Sequence, residues 1–569
     1  MHDQPDIALI KLPNHNVDYP SLSIPTLTRA LRRAGCSVVQ DDLNVRLRDV
    51  LFTAPNLDYL TYHFLPEAGK YFLNDPEEYK RIKTVLNFLT QLDQNVGFSR
   101  LEKTKQMMLD RRYPEILGAA SSAEDCSSVF ILESVFHNII DFSITCDTMG
   151  ISLDRKNIVV DYLDRKMREL AQTAPRIIGF SVMDIQRKTF AWFARRLKKI
   201  FRGKIVAGGA DVSIYNQSYL GYFDFIDAAF VREAEVSLVS FVRGAPLASI
   251  PGVIYRDGND IVATPPEFHP ENAVYDPDYS DFPLDKFLLP VLPVSASRGC
   301  AWAKCKFCVH HQTYSGYYER GALEVADNIE QLVNTHGVRH FHLTDDMLDV
   351  PLGTAIAREM ISRGLDVNIL TYARFDKRFT ADILDTWRKG GICVIEWGLE
   401  SASPRMLERM TKGISMKKVQ EILDLSNRAG ILNKLMLFHN YPGEEVEDFR
   451  ESLDFVERNV TDRIIRPFFT VRNKLELRAN SELDRLSRPE EQTLFPKRWA
   501  PSSLFQGKIE YADYDNYPEK LELLDDFLDR MQQLQKTRKV FGTNDENLTL
   551  DLIVWEMASK GMETKIHCK

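Results

Sequence analysis

Short apolar runs and amphipathic stretches alternate along the first half of the chain. The run IALIKL at 7–12 is strand-like and leads into a loop rich in proline and asparagine. Leu27, Ala30 and Leu31 then recur at helical spacing. Further strand-like runs occupy 36–39, 176–182, 204–209 and 228–231, with amphipathic stretches such as 190–201 between them. Strands that alternate with helices predict an α/β domain with a parallel, doubly wound sheet of the Rossmann type.

A second series of strand-like runs begins near residue 290. The runs are LPVSAS, RHFHLTD, VNILTYA, CVIEWGL, KLMLFHN and RPFFTV, with helical stretches such as 328–336 and 416–429 between them. About six βα units predict a partial (β/α)6 barrel of the TIM type. Because such barrels keep their chemistry at the C-terminal ends of the strands, the residues directly after each run are the candidates for function.

Turn residues and pattern divide the chain into regions. Residues 59–154 lack strand signals and have a helical pattern, so they form an insertion in the first domain. Two extended runs flank Asp257–Gly258, which is a hairpin signal, and the segment NAVYDPDYSDFP then serves as a linker. The predicted regions are an α/β domain at 1–58 and 155–275, the helical insertion at 59–154, the barrel at 290–470, and a mixed C-terminal region for substrate binding or capping at 471–569.

The composition is that of a soluble protein with several domains, since 44% of the 569 residues are hydrophobic and 27% are charged. The net charge of -9 and the lack of a sustained basic tract do not favour a nucleic-acid partner. The N-terminus has no charged segment ahead of a long apolar stretch, and no run of about eighteen apolar residues occurs in the sequence. We therefore expect a cytoplasmic protein that does not associate with a membrane.

Three of the eight cysteines lie close together. The segment SRGCAWAKCKFC places Cys300, Cys305 and Cys308 in a C-x4-C-x2-C pattern directly after the first barrel strand, where a barrel keeps its active site. A cubane iron–sulfur cluster normally takes four thiolates, so three would leave one iron open to bind a substrate. A zinc site of the Cys3His type, completed by His310 or His311, is the alternative that these residues leave open.

The cysteine pattern resembles that of the radical S-adenosylmethionine (SAM) superfamily, which carries three cysteines on the loop after the first barrel strand and an aromatic residue before the last one. Phe307 matches this aromatic residue, and the resemblance implies that it contacts SAM. The chain departs from the family pattern in one respect, since four residues instead of three separate Cys300 from Cys305. The resemblance covers the predicted barrel and implies a [4Fe-4S] cluster on the three cysteines, with SAM as a second cofactor.

The same resemblance implies SAM contacts at the ends of the next strands. HLTDD places Asp345 and Asp346 where the family has polar residues near the methionine amine. TYARFD places Arg374, and EWGLES places Glu400 and Ser401, where the family contacts the ribose or the carboxylate of SAM. FHNYPGE is similar to the family's turn beside adenine. Each residue has a structural alternative, because acidic residues at strand ends also cap helices and Arg374 could pair with a neighbouring carboxylate.

The N-terminal α/β domain resembles the cobalamin-binding domains that precede many radical SAM enzymes. The matching segments are IALIKLP, YPSLSIPTLTRALRRAGCSVVQDDLN, IIGFSV, KIVAGGAD and FVREAE. Ser181, Gly208 and Gly209 are the implied cobalamin contacts, since adjacent glycines after a strand let a large ligand approach the backbone. The family's Asp-x-His-x-x-Gly motif is absent, because His15 does not lie in that pattern.

Together the two resemblances imply an enzyme similar to the class B, cobalamin-dependent radical SAM methyltransferases. The implied reaction is C-methylation of a small-molecule substrate, for instance in antibiotic biosynthesis, with a flavodoxin or ferredoxin as electron donor. One alternative is a rearrangement, cyclisation or oxidation with the same cofactors. Two others are RNA modification by the same radical chemistry and a zinc-binding scaffold protein without catalysis.

Overall fold

The structure is a computed structural model that describes residues 4–14, 18–113, 115, 120–151, 156–267, 276–460, 475, 478, 480–483 and 517–538. The described residues fall into two units. The N-terminal unit comprises the chain up to Asp110 together with Ser128–Leu288, and the C-terminal unit is formed chiefly by the chain from Leu289 onwards. Each unit has its own sheet.

A seven-stranded sheet forms the core of the N-terminal unit. Its strands are β1 (Ile7–Lys11), β2 (Val38–Asp42), β3 (Ile177–Ser181), β4 (Lys204–Gly208), β5 (Ala228–Phe230), β6 (Val253–Asp257) and β7 (Asp260–Ala263). The sheet order is β2-β1-β3-β4-β5-β6-β7. The first five strands in this order run parallel to one another, β6 pairs antiparallel with β5, and β7 pairs antiparallel with β6. The predicted doubly wound parallel sheet is confirmed. The strand order reverses between β1 and β3, and open sheets of this kind bind ligands beside the strand ends at such a point.

Helices connect these strands, and β1 and β3 are buried along their whole length, as is typical of a parallel sheet covered on both faces. The helices are α1 (Ser23–Arg33), α2 (Leu43–Leu51), α3 (Ala54–Tyr59), α4 (Leu65–Tyr71), α5 (Pro76–Asn95), α6 (Phe98–Leu109), α7 (Ala120–Thr148), α8 (Ile158–Thr173), α9 (Arg187–Ile200), α10 (Ala210–Tyr215), α11 (Ser218–Tyr222) and α12 (Glu235–Val242), with a π-helix at Leu60–Phe64.

Strand β2 begins and ends later than the predicted run at 36–39, because its polar residues find partners inside the protein. Thr28 Oγ1 donates a hydrogen bond to Gln40 Oε1 at 3.0 Å. The Asp42 carboxylate accepts from the backbone N–H groups of Asn44 and Val45 and so caps α2. Polar side chains with such partners are tolerated in a strand that the apolar pattern alone would end earlier.

The described part of the predicted insertion consists of helices. Within α7, Ser128–Thr148 is long and apolar enough to cross a membrane by length and composition alone, but 73% of this segment is buried inside the protein. Its polar residues contact α9: Lys188 Nζ donates to Thr145 Oγ1 at 2.6 Å, and Trp192 Nε1 donates to Asp147 Oδ2 at 2.8 Å. A mostly buried helix with such contacts is typical of the core of a folded domain.

Five parallel strands form the sheet of the C-terminal unit, in the order β14-β13-β12-β11-β8. The strands of this unit are β8 (Val291–Val294), β9 (Ser297–Arg298), β10 (Tyr318–Glu319), β11 (His340–Leu343), β12 (Asn368–Ala373), β13 (Ile392–Glu400) and β14 (Leu432–Leu437), of which β9 and β10 form a separate antiparallel pair. The helices are α13 (Ala322–His336), α14 (Val350–Ser362), α15 (Ala381–Lys389), α16 (Pro404–Arg409), α17 (Met416–Arg428), α18 (Val446–Asn459) and α19 (Tyr517–Arg538). The alternation of strands and helices confirms the predicted barrel-type fold, and the sixth predicted run, RPFFTV, lies outside the described residues.

Successive side chains of strand β13 point to opposite sides of this sheet. Trp397 stacks on Phe375 with ring centroids 4.7 Å apart, and its Nε1 donates to Asn433 Oδ1 at 2.8 Å. Residues two apart in a strand share a side, so Glu396 lies on the side opposite Trp397, with its carboxylate 3.4 Å from Lys434 Nζ. A Cβ at Gly398, which shares the side of Glu396, would lie 3.1 Å from Glu400 Oε1, so the Glu400 carboxylate is on this side as well.

Candidate active site

The three clustered cysteines lie on the loop after β9, at the C-terminal end of the first barrel strand. All three are half-buried, and none forms a disulfide. Gly299 leads into the loop with φ +74°, and a Cβ there would lie 2.3 Å from the carbonyl oxygen of Gly316. Since only glycine tolerates both that φ and that approach, Gly299 determines how the chain enters the cysteine loop.

Backbone hydrogen bonds and an aromatic contact hold the cysteine loop. The Lys306 N–H donates to the Met410 carbonyl oxygen at 3.2 Å, and the Leu483 N–H donates to the Lys306 carbonyl oxygen at 2.8 Å. Phe307 packs edge-on against Phe438, with ring centroids 5.1 Å apart. Both rings pack on an apolar cluster of Met406, Met410, Tyr441, Leu475 and Leu483. Phe307 therefore anchors the loop, and its predicted contact with SAM stays a prediction.

Burial makes the thiols of Cys305 and Cys308 weaker acids than an exposed cysteine. It raises the pKa of Cys308 to about 12 and also raises the pKa of Cys305. Lys412 and, more weakly, Arg374 oppose this rise at Cys305, because a positive charge favours the thiolate. Since iron binds the thiolate and not the thiol, cluster binding here must release protons.

The donor set fits an iron–sulfur cluster better than a single zinc ion. Within the part of the chain that the structure describes, no group of three or more Cys, His, Asp and Glu side chains converges on one ion site. In a cubane each thiolate binds a different iron, so the three sulfurs need not converge on one point. His310, one of the two candidate fourth zinc ligands, is exposed, and its Nδ1 lies 2.9 Å from Asp346 Oδ1.

Asp345, directly after β11, is bonded to the loop that follows β8. Its carboxylate accepts hydrogen bonds from the backbone N–H of Ala296 at 3.0 Å, from the backbone N–H of Ser297, and from Ser297 Oγ at 2.7 Å. Burial raises the pKa of Asp345 to about 6, although these donors favour its charged form. Because its oxygens are already used by the protein, this geometry gives no support to the predicted contact of Asp345 with the methionine amine.

Asp346 and Arg374 each present one buried atom that has no hydrogen-bond partner among the described residues: Asp346 Oδ2 and Arg374 Nε. The rest of each side chain is held in place. His310 contacts Asp346 Oδ1, and Arg374 Nη2 donates to the carbonyl oxygens of Lys412 and Gly413. A carboxylate oxygen and a guanidinium N–H left open in this way are complementary to the ammonium and carboxylate groups of an amino acid.

Glu400 forms an ion pair that the sequence did not predict. Lys412 Nζ lies 2.8 Å from Glu400 Oε1, and both side chains are largely buried. Burial opposes the charge of Lys412, but Glu400 and the nearby Cys305 outweigh burial and raise the pKa of the lysine. Glu400 has φ +72°, a conformation that side chains rarely adopt and that is enriched at functional sites. The only sequence signal for Lys412 is its place in a Thr-Lys-Gly turn after α16.

Ser401 is bonded within the protein. Its Oγ lies 3.2 Å from Ser452 Oγ in α18 and accepts a hydrogen bond from the backbone N–H of Ser403 at 3.1 Å. The residue is 1% exposed. Its hydroxyl therefore stabilises the entry into α16, and its predicted SAM contact stays a prediction.

The turn after β14, which contains the Pro-Gly-Glu sequence, is anchored by the C-terminal helix α19. Lys520 Nζ donates to both the carbonyl oxygen and Oε2 of Glu444, each at 2.9 Å. Glu444 Oε2 also accepts from the backbone N–H of Asn440 at 2.6 Å. Both members of the ion pair are almost completely buried. One lysine in an amphipathic helix gives no sequence signal, so this contact was not predicted.

The predicted cobalamin contacts lie at the C-terminal edge of the N-terminal sheet. Ser181 ends β3, and its Oγ donates to Ser23 Oγ in α1 at 3.0 Å. Gly208 ends β4, and Gly209 follows with φ +103°, where a Cβ would lie 2.6 Å from the carbonyl oxygen of Val182. The packing of two loops thus explains the glycine at 209, whereas a Cβ at 208 would meet only ordinary contacts. Their roles toward cobalamin stay predictions.

The same edge carries two exposed apolar side chains. Met183 and Ile185, in the loop after β3, are 37% and 51% exposed. Exposed apolar residues beside the ligand edge of an open sheet suit a ligand with a flat apolar face.

Residues 294–456 match the family model of the radical SAM superfamily. The match begins at the last residue of β8 and includes the cysteine loop and the ends of β11 to β14. This segment is a radical SAM domain. Such a domain implies a [4Fe-4S] cluster and SAM, and Cys300, Cys305 and Cys308 are the three clustered thiols that it offers.

Curated relatives of part of this chain bear the names of more than one type of enzyme. An uncharacterized methyltransferase of Pyrococcus horikoshii is 24% identical over 266 residues, which are 45% of this chain and 58% of the relative. The anaerobic magnesium-protoporphyrin IX monomethyl ester cyclase of Cereibacter sphaeroides is 26% identical over 266 residues, 43% of each chain. The chain spans about half the length of the curated relatives it matches.

The radical SAM domain and the sheet in front of it share their fold with a solved methyltransferase. The structure of the radical SAM methyltransferase TsrM from Kitasatospora setae, with tryptophan substrate and a SAM analogue bound, matches with a TM-score of 0.58. The match covers 98% of this chain and 95% of TsrM at 15% identity. This chain and TsrM therefore share their fold over almost the whole length of both.

Proposed function

We propose that this protein is a cobalamin-dependent radical SAM methyltransferase that acts on a carbon atom of a small molecule. One observation carries the proposal: a radical SAM domain with three free cysteines at its strand ends follows a doubly wound sheet in the same chain. The fold that the chain shares with TsrM, whose structure contains a tryptophan substrate, supports a small substrate of biosynthetic origin, as in antibiotic biosynthesis.

The chain's own residues hold and orient the cofactors. When bound, the cluster supplies the electron that cleaves SAM, and cobalamin supplies the methyl group. Cys300, Cys305 and Cys308 bind three irons as thiolates. Asp346 Oδ2 and Arg374 Nε would hold the amino and carboxylate groups of SAM, because these are the atoms that the protein itself leaves open.

Two further features would orient the rest of SAM. Lys412 fixes Glu400, whose carboxylate accepts from the ribose hydroxyls. The Pro-Gly-Glu turn, held by Lys520 through Glu444, would bind the adenine. Positioning of this kind is the protein's main contribution to radical chemistry, since the cofactors carry the reactive groups.

Cobalamin belongs to the C-terminal edge of the N-terminal sheet. Ser181, Gly208 and Gly209 present backbone and a small hydroxyl there, while Met183 and Ile185 offer apolar surface to the corrin ring. Because the chain lacks the Asp-x-His-x-x-Gly motif, it does not supply the histidine that ligates cobalt in proteins with that motif.

A second candidate is a cyclisation or other rearrangement with the same cofactors. This candidate is supported by the 26% identity to the magnesium-protoporphyrin cyclase, which is similar to the 24% identity to the methyltransferase that supports the first candidate. The mass of the product separates them, because methylation adds one methyl group and rearrangement does not.

The test is anaerobic reconstitution with iron, sulfide and cobalamin, followed by metal analysis and an assay for 5′-deoxyadenosine with a chemical reductant or a flavodoxin or ferredoxin. We expect about four irons and one cobalt per chain, and loss of the iron in Cys300→Ala, Cys305→Ala and Cys308→Ala. Cys36→Ala, a half-buried free cysteine of the other unit, is the matched control and keeps its iron. Zinc in place of iron would overturn the proposal and favour the scaffold protein.

A further inference from the structure

The spacer between the first two cysteines, Ala301-Trp302-Ala303-Lys304, has an unusual conformation. Ala303 has φ +45°, a left-handed conformation that is unfavourable for a residue with a Cβ. Trp302 is the one spacer residue that is half-buried, and the other three are exposed. A strained backbone persists only where surrounding contacts hold it, so we attribute the conformation of Ala303 to the contacts of Trp302.

Trp302 docks on the turn that follows α16. Its Nε1 donates to the carbonyl oxygen of Thr411 at 3.1 Å. Its ring lies so close to Gly413 that a Cβ there would be 2.6 Å from the ring. The turn bears left-handed residues at both positions, with φ +57° at Thr411 and +63° at Gly413. The spacer and the turn are therefore shaped to each other.

Arg374 lies over one face of the Trp302 ring. The guanidinium carbon lies 3.9 Å from the centre of the Trp302 ring, a cation–π contact at close range. Arg374 also donates to the carbonyl oxygens of Lys412 and Gly413 in the same turn. Removal of the indole would leave this cation with its hydrogen bonds alone.

We infer that the additional residue of the C-x4-C spacer serves to dock Trp302 on the Thr411–Gly413 turn, and that Trp302 is a positioning residue that keeps the charge of Arg374 beside the cluster. The inference rests on the proposed cluster at the three cysteines. A fixed positive charge near the cluster stabilises the reduced form, which carries one more negative charge. Loss of that charge lowers the reduction potential.

The test compares Trp302→Ala with Trp302→Phe, Lys304→Ala and deletion of Ala303, all in the reconstituted full-length chain. We expect Trp302→Ala to lower the reduction potential, measured by redox titration of the cluster signal in electron paramagnetic resonance, and to weaken cluster retention against a chelator by about 10-fold. Trp302→Phe restores the potential, because a phenyl ring still stacks on Arg374. Deletion of Ala303, which returns the family spacing, behaves like Trp302→Ala. Lys304→Ala removes an exposed ammonium group 5.0 Å from the centre of the ring and shifts the potential less than Trp302→Ala, because solvent screens this charge.

A double variant shows whether Trp302 acts through Arg374. Arg374→Gln alone should lower the potential, and Trp302→Ala in that background should add no further shift, because coupled residues are not additive. Additive shifts, or a Trp302→Ala protein with wild-type potential and retention, overturn the inference and leave the proposed function intact. A wild-type chain that takes up no iron overturns both.

Discussion

At the scale of single residues, Gly209, a predicted cobalamin contact, and Gly258, a hairpin glycine, both have a positive φ but differ in what surrounds them. Gly209 faces the backbone of Val182, and a Cβ would lie 2.6 Å from that carbonyl oxygen. Gly258, in the β6–β7 hairpin, also has a positive φ, but a Cβ there would meet no atom within 4 Å. The pair therefore separates the effect of backbone conformation from that of close packing.

We expect Gly209→Ala to lower the free energy of unfolding by about 1–3 kcal/mol more than Gly258→Ala, because it adds a steric clash to the same kind of backbone strain. Chemical denaturation of both variants measures the difference, and cobalamin absorbance after reconstitution reports binding at the same edge. Equal destabilisation by the two substitutions would contradict the packing that we describe around Val182.

His342, inside the barrel sheet, links a single residue to pH. Burial lowers its pKa to about 3, and Lys434 contributes to the shift. The unfolded chain takes up a proton near the ordinary value of about 6.5, whereas the folded chain does not, so stability present above pH 6.5 is lost as the pH falls toward 3. Acid should therefore unfold this unit in part through one histidine.

We expect wild type to lose about 2 kcal/mol between pH 6.5 and pH 5 that His342→Gln does not lose. Urea denaturation followed by the fluorescence of the buried Trp387 and Trp397 reports on this unit. His63→Gln, which replaces an exposed histidine, serves as the control and should leave the pH profile unchanged. A parallel profile for wild type and His342→Gln is the contrary result.

At the scale of elements, the C-terminal helix α19 is attached to the barrel by two ion pairs of different kinds. Lys520 and Glu444 form a pair from which water is excluded, and Glu444 in turn holds the Asn440 backbone. Arg530 and Glu457 form a pair at 3.1 Å that is open to solvent. Buried pairs are costly to break on one side, whereas exposed pairs contribute little.

We expect Lys520→Met to destabilise the protein by about 3–5 kcal/mol, because it leaves the Glu444 charge buried without its cation. The double variant Lys520→Met/Glu444→Gln should recover much of this loss, since the amide carries no charge and still accepts from Asn440. Arg530→Met, on the same helix, should change stability by less than about 1 kcal/mol. Thermal unfolding of wild type and the three variants measures these differences. If Lys520→Met is no less stable than the double variant, the buried ion pair is not what attaches α19 to the barrel.

At the scale of the whole molecule, the proposed cofactors belong to different units. The cysteines lie in the radical SAM domain, and the cobalamin edge lies in the sheet of the N-terminal unit. Each unit has its own core, so damage to one binding site should spare the other.

We therefore expect Cys305→Ala to lose iron and keep cobalt, and Gly209→Ala to lose cobalt and keep iron. Metal analysis of the two reconstituted variants measures this directly. Loss of both metals in either variant would show that binding of one cofactor depends on the other. Cobalt retained by Gly209→Ala would contradict the assignment of cobalamin to the N-terminal sheet.

Much of the fold follows from short-range pattern. The strands β1, β3, β4 and β5 lie within or one residue from the predicted runs, because a buried strand shows itself as a local apolar run. The cysteine loop was found for the same reason, since its three thiols are close in sequence. The end of β2 was missed because Gln40 and Asp42 are polar: Gln40 bonds to the distant residues Thr28 and Asp281, and Asp42 caps the helix that follows.

The sequence by itself determined the class of the protein: two βα series, a radical SAM cysteine pattern and a set of strand-end candidates. Only the tertiary structure decided which candidates remain open to a cofactor. It assigned the oxygens of Asp345 to the loop after β8, left Asp346 and Arg374 with open atoms, and brought in Trp302 and Lys412. The physical reason is distance along the chain: backbone periodicity is a local property, whereas a contact such as that of Trp302 with Thr411 joins residues 109 positions apart.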